Sequence, residues 1–123
     1  MSERNTRKTG SMGERLAVEF LCRNNYTILK TNYRVGRIGE IDIIAHDSEY
    51  ICFIEVKTRH THTFGTPSEA VTAAKQKKIR QIASIYLSNT YKTNRCVRFD
   101  VIEIILSKPD DKITTINLLK NAF

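Results

Sequence analysis

The chain has 123 residues, with 41% apolar and 27% charged side chains and a formal charge of +7. One domain with one core is expected at this length, and the composition is that of an ordinary folded domain rather than a disordered chain. The uncharged apolar runs, such as Ile51-Cys52-Phe53-Ile54, are too short to span a bilayer, and the polar start Met1-Ser2-Glu3-Arg4-Asn5 is no secretory leader. Cys22, Cys52 and Cys96 are odd in number and far apart, which argues against a disulfide framework or a cysteine zinc site and for a reducing, cytoplasmic setting.

Residues 1–10 are polar without an apolar period and read as a loose tail, leaving 11–123 as the single domain. A first helix is expected over 11–25, with Ser11 and Glu14 in capping-box spacing and Leu16, Ala17, Phe20 and Leu21 at helical spacing. A strand follows over 26–34, then a turn bracketed by Gly36 and Gly39. Strands over 40–46 and 49–58 are joined by a tight turn near Asp47-Ser48. After a polar loop over 59–66, Thr66-Pro67-Ser68-Glu69 reads as the start of a second helix that ends near Ser88. Its apolar stripe is Val71, Ile79, Ile82 and Tyr86. A loop over 89–95, a β-prone run over 96–105, a turn over 107–111 and a last strand over 113–119 complete the chain. The order αβββαββ implies an α/β fold, a mixed sheet with helices packed on it.

The positive charge is concentrated. Residues 57–98 hold nine Lys and Arg against one acid, Glu69, while the rest of the chain holds eleven basic and twelve acidic residues. Such a field suits a polyanion, although a solvated helix face has the same composition. Lys77 and Arg80 point away from the apolar stripe of the second helix, whereas Lys75 falls inside it. A lysine there snorkels to solvent or reaches the edge of a site and meets a phosphate.

The chemistry concentrates on the two central strands. Glu40 and Asp42 share one face of Gly39-Glu40-Ile41-Asp42-Ile43-Ile44, and Glu55 and Lys57 share one face of Phe53-Ile54-Glu55-Val56-Lys57. A hairpin at Asp47-Ser48 brings the runs together, so two carboxylates and a lysine can meet. Facing carboxylates repel, and a divalent cation, Mg²⁺ or Mn²⁺, removes the conflict. Lys57 could then orient or deprotonate an attacking water. The alternative is a cross-strand ion pair of Glu55 and Lys57 on a wet sheet edge. Glu40 reads as turn-proximal and solvated, or as a residue on the outside of the site. His46, His60 and His62 form no ligand cluster, and Asp100 reads as structural, paired with a basic neighbour.

Asp42, then Glu55-Val56-Lys57 on the next strand, after a helix carrying Glu14, resembles the PD-(D/E)XK nuclease superfamily, and in particular the archaeal Holliday-junction resolvases. The wider string through Gly13-Glu14, Gly39-Glu40-Ile41-Asp42, Phe53 to Arg59, Glu69-Ala70-Val71 and Arg98-Phe99-Asp100-Val101 is still more similar to the YraN-like family. The proline of the superfamily name is absent, since Ile41 precedes Asp42, and the literal Pro109-Asp110 has no Glu-x-Lys strand after it. The resemblance implies a restriction-endonuclease-like core and a metal-dependent endonuclease acting on DNA, including branched DNA. Asp42, Glu55 and Lys57 would be catalytic, with Asp42, Glu55 and Glu14 at the metal. Arg59, Lys75, Lys77, Lys78 and Arg80 would meet the nucleic acid, and the resolvase likeness implies a homodimer. The rival readings are a non-catalytic nucleic-acid-binding module with the same fold and a protein-interaction subunit.

Overall fold

The computed structural model describes residues 3–60, 71–107 and 112–123. Helix α1 spans Glu3–Arg23, strands β1 Thr27–Val35, β2 Gly39–Asp47 and β3 Tyr50–His60 follow, then helix α2 Ala73–Thr90 and strands β4 Cys96–Ser107 and β5 Lys112–Leu119. The five strands form one mixed sheet in the order β1-β2-β3-β4-β5. Only the β3–β4 pair is parallel, as a strand–helix–strand crossover requires; the others are antiparallel. The αβββαββ order and the mixed core match the restriction-endonuclease-like topology expected from the sequence.

The helices cover opposite faces. Ala17 and Leu21 of α1 pack with Ile43, Ala45, Cys52, Ile54, Ile102, Ile104 and Leu106. Ile79, Ile82, Ala83 and Tyr86 of α2 pack with Ile41, Ile44, Ile51, Phe53 and Val101. A central sheet buried on both faces explains why Ile51-Cys52-Phe53-Ile54 of β3 is an unbroken apolar run. Among the described residues, no helix is long and apolar enough to cross a membrane, and all three cysteines are free thiols.

Three sequence expectations need correction. Residues 3–10, read as a tail, are helical, so Ser11 lies inside α1 rather than at its start. A helix anchored by its packed half propagates through polar residues without needing an apolar stripe of its own. Second, α2 starts at Ala73, because Thr72 is its N-cap, with extended backbone and a side chain that accepts the Lys75 N–H at 3.2 Å. The Thr66-Pro67-Ser68-Glu69 start lies outside the described residues, as does His62, but Val71 and Thr72 are not helical and rule out one continuous helix from there. Third, β3 continues through Arg59 and His60, where the polar sequence reads as a loop.

One glycine sets the depth at which α1 docks. A Cβ on Gly13 would collide with Thr58 Oγ1 and press on Thr58 Cβ at 3.2 Å. Glycine within a helix costs roughly 0.5–1 kcal/mol relative to alanine. That cost lets α1 approach β3 closely and brings the next residue, Glu14, over the sheet.

Candidate metal centre

The site lies where β2 and β3 part. Their ladder runs from the Asp47–Tyr50 pair to the Ile43–Ile54 pair. One step further, Asp42 Oδ2 accepts the Val56 N–H at 2.8 Å, so a side chain takes over from a backbone carbonyl. The faces switch at the same place. Ile43 belongs to the α1 layer and Ile41 to the α2 layer, although alternation would put both on one side. The break turns Asp42 toward α1, where it lines a cavity of 290 Å³ with Glu14, Val18, Thr31, Asn32 and Ile43.

Three carboxylates converge there. Glu14 from α1 and Glu40 and Asp42 from β2 each offer an oxygen, and these oxygens lie within 4.8 Å of one another. All three residues are half-buried. Burial pushes the Glu14 carboxyl above its ordinary value, and the charges of Asp42 and Glu40 push it further, against a hydrogen bond from Asn32. Burial also raises Asp42; the Val56 N–H and the Lys75 charge oppose this, and Glu40 adds to it.

Glu55 and Lys57 stand across the gap from this group. Glu55 is 5% exposed. One of its oxygens, Oε1, lies 3.3 Å from Lys75 Nζ. The other, Oε2, is buried and has no hydrogen-bond partner among the described residues. Burial lifts the Glu55 carboxyl to about 7, helped by the Asp42 charge, while Lys75 and Lys57 pull it back. Lys57 is half-buried and acts on both Asp42 and Glu55. Asp42, Glu55 and Lys57 thus form one electrostatic unit, but Glu40 takes the place of Glu55 in the tight carboxylate group. Glu40 is not a solvated turn residue: it is half-buried in β2 and belongs to that group. Its shared face with Asp42 was the available signal. Asn32 was missed altogether, because a single Asn in a β-prone run carries no periodic signal.

The basic residues divide. Lys75 does not merely snorkel, since it reaches Glu55 from the first turn of α2. A cation near a helix N-terminus opposes the helix dipole, so the contact with Glu55 accounts for its position better than helix stability does. Arg59 is ion-paired with the buried Glu103 and only 18% exposed. Arg80 stacks its guanidinium over Phe99 at 4.6 Å and Phe123 at 5.7 Å. Lys77 and Lys78 are exposed. Lys78 also borders a smaller cavity with Ile38, Glu40, Lys75, Ile79 and Ile82.

Half-buried convergent carboxylates that offer only oxygen ligands make a candidate site for a hard metal cation. The sequence pattern of the uncharacterised protein family UPF0102 matches residues 13–104. Relatives described as UPF0102 proteins include one from Acetivibrio thermocellus, 49% identical over 99% of this chain and 95% of its own length. Another, from Caldicellulosiruptor saccharolyticus, is 43% identical over 97% and 99% respectively. A third, from Clostridium botulinum, is 46% identical over 93% and 92%.

Proposed function

The chain belongs to the uncharacterised protein family UPF0102, and from that membership and the geometry of the gap we propose a metal-dependent nuclease that hydrolyses phosphodiester bonds in DNA, including branched or junction DNA. The observation that carries this reading is the convergence of Glu14, Glu40 and Asp42 beside Glu55, Lys57 and Lys75. Glu14, Glu40 and Asp42 would hold Mg²⁺ or Mn²⁺, with Glu55 completing the acidic wall. Such an ion, when bound, supplies charge neutralisation at the scissile phosphate and makes water more acidic.

The chain's own groups do the rest. Lys57 orients the attacking water or takes its proton, because its charge bears on both Asp42 and Glu55. Glu55 holds Lys75 through Oε1, which aims the Lys75 ammonium at a phosphate oxygen entering from the α2 side. Lys77 and Lys78 supply sequence-independent phosphate contacts along α2. A protomer of 123 residues offers little surface for two strands, so the same reading takes the active form as a homodimer.

A nuclease panel tests this. Linear duplex, single-stranded, flapped and four-way DNA are incubated with the protein, with and without Mn²⁺, beside an Asp42→Asn control. Mn²⁺-dependent cleavage that Asp42→Asn abolishes supports the reading. No cleavage of any substrate, with DNA binding retained, would favour the non-catalytic binding module instead.

A further inference from the structure

Asn32 sits in the middle of β1 with φ of +51°. This left-handed conformation is costly for any residue with a side chain, though least so for Asn. It coincides with a change of face: Thr31 lines the cavity on the α1 side, whereas Tyr33 packs in the α2 layer. Thr31 pairs with Ile43 and Tyr33 with Ile41, so Asn32 lies opposite Asp42, where β2 makes the matching break. The two strands turn together.

The side chain uses this position. With the amide turned as its neighbours require, its nitrogen donates to Glu40 Oε1 at 3.1 Å and to Glu14 Oε2 at 3.0 Å. One oxygen of each carboxylate is held; the second Glu40 oxygen lies 4.0 Å from Arg34 Nη1 at the exposed rim. A second observation stands beside this: among the described residues, the buried Glu55 Oε2 across the gap has no hydrogen-bond donor, in a residue whose charge acts on Asp42.

We infer that Asn32 is a positioning residue for the metal centre, its left-handed backbone turning Asp42 toward α1 and its amide holding Glu14 and Glu40 together before the ion arrives. The inference rests on the metal-centre reading above.

Calorimetric titration of the full chain with Mn²⁺, with melting temperatures measured in parallel, tests it. In Asn32→Gly the backbone conformation is tolerated and only the amide is lost. The expected result is a melting temperature close to wild type and a 10–100-fold weaker affinity for Mn²⁺, the usual effect of removing a group that hydrogen-bonds metal ligands from behind. Asn32→Asp keeps the shape but sets oxygen against oxygen. Without metal it should melt below Asn32→Gly, and saturating Mn²⁺ should close that gap. Unchanged affinity in Asn32→Gly, loss of its fold, or an Asn32→Asp chain as stable as Asn32→Gly without metal overturns the inference and leaves the metal-centre reading standing. A wild type that binds no Mn²⁺ overturns both.

Discussion

Asp100 on β4 is fully buried, yet every demand of its charge is met. Arg98 Nε donates to its Oδ1 at 2.9 Å and Arg98 Nη2 to its Oδ2 at 2.9 Å, and the Asn121 N–H adds a bond at 2.8 Å. The same guanidinium reaches Asp47 at 2.9 Å and the Tyr26 hydroxyl at 2.7 Å. Burial alone would raise Asp47, but Arg98 and Lys120 outweigh it and hold its carboxyl below the ordinary value. In the gap between β2 and β3 the balance is reversed. Glu14, Asp42 and Glu55 are all raised, and one Glu55 oxygen has no donor among the described residues. A network whose charges are all paired ties strands together, whereas one left short of positive charge is prepared for a ligand that brings it.

The largest expected effect lies in the paired network. Arg98→Ala leaves the buried Asp100 without its cation and Asp47 with Lys120 alone, and should cost about 3–5 kcal/mol of stability in urea unfolding, as breaking a buried pair does. Asp42→Asn should leave stability unchanged or raise it. Equal losses from both substitutions would erase the distinction between the two regions.

Lys57→Ala sharpens it on the functional side. Removing a positioned acid–base group lowers rates by roughly 10²–10⁴, and single-turnover cleavage should show that loss with little change in DNA affinity. Full activity would mean that Lys57 serves only the fold.

pH separates the regions by sign. A Glu55 carboxyl near 4.5 when unfolded and about 7 when folded binds its proton more tightly in the folded protein. Its charge therefore subtracts stability progressively as pH rises from about 4.5 to 7, in the absence of metal. Asp47, lowered on folding, contributes stability above its unfolded value that is lost only in stronger acid. Urea midpoints at pH 5 and pH 8 in chelator should fall more steeply for wild type than for Glu55→Gln. Parallel pH profiles would show that Glu55 gains its proton no more readily in the folded chain.

The smallest effect concerns the exposed lysines. Lys77→Ala with Lys78→Ala should keep the melting temperature, since exposed charges contribute little to stability. By fluorescence anisotropy across a salt series, DNA binding should lose up to about two units of log–log slope, at about −0.9 per phosphate contact. Arg80 is a poor choice for this test, because its stacking on Phe99 and Phe123 links it to the core. An unchanged slope would move the nucleic-acid face away from α2.

The strands, the crossover helix and the proximity of Asp42 to Glu55 and Lys57 were legible in the amino-acid order because they rest on local rules. Apolar runs, period-two alternation and the Asp47-Ser48 turn specify a hairpin whose register follows from its turn; the Asp47–Tyr50 pair beside the turn continues to the Ile43–Ile54 pair next to the site. Arg98 and Asp100 two apart on one strand hinted at a pair, but Asp47 and Tyr26 joined it only through folding. Tertiary structure alone decided that Glu40 rather than Glu55 stands with Glu14 and Asp42, because that outcome turns on Asn32 and Asp42 breaking the alternation together. A left-handed residue within a strand is sustained by contacts distant in sequence: here the carboxylates of Glu14 and Glu40, brought within reach by the close seat of Gly13 against Thr58.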